Sequence, residues 1–437
     1  MKPRAEIKKY RQENLLLKKR IEERAGKTAE QLYAERSKRV KDVIELREPD
    51  RVPFTFFVET QAYCGIPNSA AYYDPITFKR AVRQIAVDLE PDMCECGLPA
   101  SGDAMTELDI KTFVWPGGPK PSDFNFQFIE GEYMKEDEYD MFLNDPTGFM
   151  IRRYLPRVYG ALEPLSKLPP LDGMYMGFEY LTPLFASPDF RKMAARLARA
   201  GKHVEKFRKI IGDTYEDLAQ LGFPPFARFI TGGVGGAPFD TLSSFLRGMK
   251  GSMLDMYRQP DKLLKACEAI LERRIARAVP ADPNHRDYPQ RVGMPLWRGD
   301  PVFMSEAQFK KFYWPGLKKS LQTHVDLGYV PVPFFEAPFG DRLECLLELP
   351  KGKILPAIEA ADAFRAKEIL GGHSALLVHC PNTFKLWSLK DVESFVRDLI
   401  DKCGKKGGLI IAIRIPDRAK TEDIQAMLKS LREYARY

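Results

Sequence analysis

An apolar run, Val330-Pro-Val-Pro-Phe-Phe335, ends in a carboxylate, Glu336, and turns at once on Pro338 and Gly340. A charge at the tip of an apolar strand is costly unless it has a partner or a task. The pattern recurs along the chain. Arg228-Phe-Ile-Thr231 runs into Gly232-Gly-Val-Gly-Gly236, and Gly293-Met-Pro-Leu-Trp297 into Arg298-Gly-Asp300. Lys353-Ile-Leu-Pro-Ala-Ile358 runs into Glu359, and Ala375-Leu-Leu-Val378 into His379-Cys380. Polar residues gathered at successive strand ends are how a parallel barrel builds an active site.

The rest of the pattern agrees. The sequence predicts strands near 54–59, 91–97, 174–180, 226–233, 291–298, 330–336, 352–358, 375–380 and 408–414. Between most of them lie helical stretches, such as Asp189 to Leu221, Ser305 to Leu327 and Ser388 to Cys403. Strands alternating with helices argue for a parallel sheet. Ahead of them, residues 4–25 read as a polar helix with a short apolar stripe at Ile7, Leu15 and Leu17, closed by Gly26. Thr28-Ala-Glu-Gln31 has the form of a capping box that starts a second helix. Ser305-Glu-Ala-Gln308 repeats that form. The region 98–170 is rich in Pro, Gly and aromatic residues, and reads as a long insertion that forms a lid. The division expected is a helical arm over 1–48 and one large domain over 49–437.

Charge and composition exclude several functions. The 437 residues carry a net charge of +7. The first 46 residues hold 14 Lys/Arg against 8 Asp/Glu, so the main domain is nearly neutral. That argues against a nucleic-acid groove. The basic arm reads either as a solvated helix pair or as a contact for an acidic partner. No apolar run approaches the roughly 20 residues of a membrane span, and the N-terminus shows no export signal. Seven scattered cysteines then read as reduced thiols, which places the protein in the cytoplasm. Oligomeric state is open, a homo-oligomer included.

Four strand-end residues stand out. Glu336, Arg298 and Glu359 are expected to meet at one end of the sheet, as a catalytic cluster or as a plain salt bridge. His379 ends its strand beside Cys380, and neighbours on a strand face opposite ways unless Pro381 bends the chain. Cys94-Glu-Cys96 puts two thiols on one face, and reads as structural cysteine in preference to a zinc pair. The glycine run lacks the Lys-Ser/Thr ending of a phosphate loop. Gly232, Gly233, Gly235 and Gly236 read instead as a bend that lets a large planar ligand approach.

Pieces spread over about 31–434 resemble, in order, the uroporphyrinogen decarboxylase superfamily. They are Glu35-Arg-Ser-Lys-Arg39, Pro49-Asp-Arg-Val-Pro53, Trp115-Pro-Gly117, Pro238-Phe-Asp240 with Leu246-Arg-Gly248, Phe303-Met-Ser-Glu-Ala-Gln-Phe-Lys-Lys-Phe-Tyr-Trp-Pro315, Leu346-Leu-Glu-Leu-Pro-Lys-Gly352 and Gly407-Gly-Leu-Ile-Ile411. The resemblance implies a (β/α)₈ TIM barrel with its pocket at the C-terminal ends of the strands. The haem-pathway decarboxylase of that superfamily grips propionates with an arginine-rich motif. Here the matching place reads Thr55-Phe-Phe-Val-Glu-Thr-Gln61, with no arginine. Corrinoid-dependent methyltransferases form another branch. Those acting on thiols hold zinc with a His-x-Cys and a later Cys. Here those places read Phe334-Phe-Glu336 and Ile413-Arg-Ile415.

The reading nearest to this chain is therefore a methyltransferase component, with O-demethylation favoured. It would move a methyl group from a small methoxylated or methylated substrate to the Co(I) of a separate corrinoid protein. On that reading Glu336, Arg298, His379 and Tyr180 stabilise the leaving group, and Glu59, Glu359 and Arg414 meet the substrate. The glycine run makes room for the corrin. Glu336, His379 and Cys380 are the ligands if zinc is held. The rivals are a decarboxylase of a tetrapyrrole-like or smaller acid, and a non-catalytic corrinoid or tetrapyrrole carrier.

Overall fold

The computed structural model describes residues 2–97, 99–172, 174–227, 235–359, 361, 363–417 and 419–437. Its centre is a curled parallel sheet. The strands are β1 (Phe54–Phe57), β4 (Arg291–Leu296), β5 (Val330–Phe335), β6 (Ala357–Glu359), β7 (Leu376–His379) and β8 (Leu409–Arg414). Their order across the sheet is β1-β8-β7-β6-β5-β4, all parallel. Two short strands, β2 (Phe113–Val114) and β3 (Gln127–Phe128), pair antiparallel inside the insertion.

Two further segments bridge from β1 toward β4. Asp92 N donates to Phe54 O at 2.8 Å, and Thr55 Oγ1 donates to Met93 O at 2.8 Å. Cys94 N donates to Pro224 O at 2.8 Å, and Phe226 N returns a bond to Cys94 O at 2.7 Å. Arg291 Nε on β4 then donates to Phe226 O at 2.6 Å. Residues 92–94 and 224–226 thus continue the sheet's edge without forming regular strands, apart from one bridge between Cys94 and Pro225.

Alternation along the strands sorts their side chains onto two faces. Val292, Met294, Phe335, Ile358, Leu376, Val378, Ile411 and Ile413 pack under the surrounding helices. Met93, Ala227, Val330, Val332, Ala357, Leu377, Ile410 and Ala412 face inward. The inner layer is plugged at one end by α2 (Ala29–Ile44), whose Val40, Val43 and Ile44 join that cluster. The Thr28 capping box starts α2 as expected, and the Ser305 box also forms. Arg39 of α2 ties the plug to the sheet through Asp92 at 2.6 Å and Asp50 at 2.6 Å. The first helix, α1 (Lys2–Ala25), buries Tyr10, Asn14 and Ile21, a helical spacing, and leaves Leu15 in solvent. Of the stripe expected at Ile7, Leu15 and Leu17, Leu17 packs on the core beside Ile21 and Leu15 does not; the packed face includes Tyr10, over which the Arg83 guanidinium lies at 4.4 Å.

Of the expected strands, 174–180 does not form. Gly177 takes a φ of +85° and breaks the extended run, and Phe178–Leu181 coil into a 3₁₀ turn. The expected strand at 226–233 lies mostly outside the described residues. Helices fill much of the insertion, including Gly102–Leu108 and Tyr139–Asn144. Among the described residues no helix is long and apolar enough to cross a membrane.

Candidate active site

The inward face ends in polar groups at the C-terminal end of the sheet. Glu359 closes β6 and stands in register with His379 at the end of β7. Arg414 closes β8, and Glu59 follows β1. Glu336 follows β5, its backbone held by Leu296 O at 3.0 Å. Alternation from Phe334, Ala357, Leu377 and Ala412 places Glu336, Glu359, His379 and Arg414 on the inner side. The structure thus gathers four of the expected site residues around one mouth.

His379 is buried between two rings, with Phe57 at 4.9 Å and Phe334 at 4.5 Å between centroids. Burial, and then the charge of Arg414, push its imidazole down to about 3. The ring is therefore neutral near pH 7 and is no imidazolium donor. Its Nε2 has no hydrogen-bond partner among the described residues. Burial raises the Glu336 carboxyl above its usual range. Burial also raises Glu359; Arg414 opposes the shift and Glu336 adds to it. Arg414 Nη1 lies 3.9 Å from Glu59, and its buried Nε has no partner among the described residues.

Beside this cluster opens a cavity of about 460 Å³. Phe57, Glu59, Tyr72, Glu95, Asn125 and Arg414 are among its lining residues. Sequence reasoning missed Glu95, although the signal was there. Cys94 and Cys96 both pack outward against the helix Pro75–Leu89, so Glu95 between them faces inward like Met93. The two thiols are buried.

Other expected residues lie elsewhere. Arg298 is buried away from the mouth. Its Nε donates to Ser243 at 3.2 Å, its guanidinium pairs with Glu130 and covers the Phe303 ring at 4.7 Å. Asp240 accepts from the backbone of Arg298 at 3.0 Å and from the Tyr313 hydroxyl at 2.7 Å, so this corner braces the end of β4. Tyr180 is 83% exposed on its 3₁₀ turn and touches none of the mouth residues. Cys380 packs in the outer layer with Ile413 and Ile415, because it follows His379 on the strand and so faces the other way. Among the described residues no three His, Cys, Asp or Glu side chains converge to hold a metal ion. The expected Glu336, His379 and Cys380 set is thus not assembled, and all seven thiols are free.

The glycine run divides. Gly232 and Gly233 lie outside the described residues. Gly235 packs against Arg274, where an added Cβ would come within 2.8 Å of the guanidinium, and its carbonyl accepts from Ser320. Gly236 packs on Leu296 and Pro295 of β4. Gly235 also takes a φ of +74°, which a glycine adopts without strain.

No family model matches the chain, and no curated protein sequence matches it. Among solved structures, it is similar to a methyltransferase from Methanosarcina mazei, with a TM-score of 0.53 and 13% identity. The match covers 91% of this chain and 98% of that one. At such identity the likeness speaks for the fold: a curled parallel α/β sheet of barrel type, spanning nearly the whole chain.

Proposed function

We propose that this protein is a methyltransferase component that removes a methyl group from a small methylated substrate, an ether foremost, and passes it to Co(I) of a corrinoid carried by a separate protein. The observation that carries the reading is the fold shared with a methyltransferase over 91% of the chain. On the same reading, residues 92–94 and 224–226 mark the two remaining strands of a (β/α)₈ barrel of the uroporphyrinogen decarboxylase superfamily. The protein works in the cytoplasm with its thiols reduced.

The mouth is suited to this task. A cavity of about 460 Å³ has room for a small donor, and Phe57, Tyr72 and Phe126 among its lining residues offer apolar surface to it. Placing the methyl carbon in line with the acceptor accounts for much of such a rate. The corrinoid is a substrate brought by its carrier. Zinc does not fit, since no ligand set converges among the described residues, and no step is routed through it. A decarboxylase of a poly-acid is the weaker reading. Arg414 is the one cationic side chain among the described residues lining the cavity, and Glu59, Glu95 and Glu359 already lie around it, so little positive charge is offered to a poly-acid.

The test is to mix the purified protein with a Co(I) corrinoid protein and, in turn, methoxyarenes, methylamines, betaines and methyl thioethers. Loss of the Co(I) absorbance with growth of the methyl-Co(III) spectrum is the expected result with one donor class. No transfer with any class would overturn the proposal.

A further inference from the structure

Resting on that reading, we propose that Glu95 is the acid that protonates the leaving oxygen of the methyl donor. Three observations on geometry carry it. First, Glu95 points inward at the end of the 92–94 segment, which is fixed on one side to β1 and on the other to Pro224 and Phe226. Second, it lines the cavity together with Phe57, Tyr72 and Arg414, whereas Glu336, Glu359 and His379 do not line it. Third, its side chain is exposed to that cavity, and no hydrogen bond engages its carboxyl among the described residues.

The titratable groups around Glu95 come from four directions. Arg414 comes from β8, Glu59 from beyond β1, Tyr72 from the helix Ala70–Tyr73, and Cys96, which also lines the cavity, from its own segment. Burial raises the Glu95 carboxyl to about 7, and the charge of Arg414 holds it from rising further. The acid therefore keeps its proton up to neutrality, where a donor is most useful. Glu59 lies beside Arg414, 3.9 Å from its Nη1.

The step balances. The C–O bond breaks with its electron pair remaining on oxygen, and the Glu95 proton is delivered to that oxygen, giving a phenol or alcohol and a Glu95 carboxylate. The electron pair for the new bond to the methyl carbon comes from Co(I). Water entering the cavity after product release restores the Glu95 proton.

The experiment uses the full chain, a Co(I) corrinoid protein, and methoxyarenes whose leaving phenols run from unsubstituted to nitro-substituted. General acids contribute roughly 10²–10⁴-fold. Glu95→Gln should slow the unsubstituted donor at least ~100-fold and the nitro-substituted donor far less, because a nitrophenolate leaves without a proton. In the unaltered protein kcat/KM for the unsubstituted donor should fall above about pH 7, and Glu95→Gln should lack that limb. If the variant does not fold, the unaltered protein still decides: the limb should be present for poor leaving groups and absent for good ones. A limb retained in Glu95→Gln, an equal loss on every donor, or a limb indifferent to the leaving group would overturn the assignment while leaving methyl transfer in place. Absence of transfer with every donor would instead overturn the reading beneath it.

Discussion

Replacing Asp92 by Ala tests how the plug, the sheet and the Glu95 segment are held as one unit. The Asp92 carboxylate is fully buried. It accepts from Arg39 Nη1 at 2.6 Å, from Arg51 Nη1 and Nη2 at 2.8 and 2.9 Å, and from the backbone N of Phe54 at 2.8 Å. Breaking a buried ion pair from one side costs about 3–5 kcal/mol, because the remaining charge stays buried. Here Arg39 keeps Asp50, and Arg51 keeps the carbonyl of Val52 at 2.9 Å, so the low end, about 3 kcal/mol, is expected. That is roughly a 150-fold change in the unfolding equilibrium. Urea unfolding followed by tryptophan fluorescence measures it. The control is Asp50→Ala, which removes the exposed partner of the same Arg39 and should cost less than about 1 kcal/mol.

The pH dependence gives a second reading of the same site. Burial raises the Asp92 carboxyl, but Arg51, Arg39 and the Phe54 amide outweigh it and bring the carboxyl below its usual 3.8. Its stabilisation is thus complete above pH 3.8 and is lost as pH falls below 3.8 toward the folded value. Asp92→Asn should flatten that acid limb. Equal costs for Asp92→Ala and Asp50→Ala, or an unchanged acid limb in Asp92→Asn, would refute this account of the hub.

Three further outcomes follow from the same structure. Ile44→Ala in the buried plug of α2 should cost about 2–4 kcal/mol in urea unfolding, since the inner layer cannot collapse onto the vacated space. His379→Phe should remove a pH dependence: the folded imidazole is pushed from 6.5 to about 3, so stability is lost as pH falls below 6.5. The unaltered protein should lose about 2 kcal/mol between pH 7 and pH 5 from this group, and the Phe variant should not. Arg414→Met removes the charge that holds the Glu95 carboxyl down, so the alkaline limb of the demethylation profile should move to higher pH.

Legibility in the sequence varied by element. The strands at 291–298, 330–336, 375–380 and 408–414 were readable because an apolar run bounded by turn residues leaves little choice. The two capping boxes at Thr28 and Ser305 were readable because they are local hydrogen-bond patterns. The run Met174 to Tyr180 misled, because its apolar alternation says nothing of a glycine with positive φ. The sequence alone also placed polar residues at strand ends, and so pointed to Glu336, Glu359, His379 and Arg414.

What it could not decide was which strand ends share a wall. Arg298 looked like Glu336 in sequence, yet Asp240, Ser243 and Glu130 from distant parts of the chain take up its backbone and guanidinium. Cys380 is adjacent to His379 in sequence and on the opposite face in space. Glu95 was hidden between two cysteines that drew attention to the wrong face, and only the packing of 92–94 between β1 and Pro224–Phe226 sets it in the cavity. Local pattern determines where strands begin and end, because backbone hydrogen bonding and alternation act over a few residues. Which side chains meet is decided by contacts between segments far apart in the chain, and those exist only once the sheet has curled and α2 has filled its end.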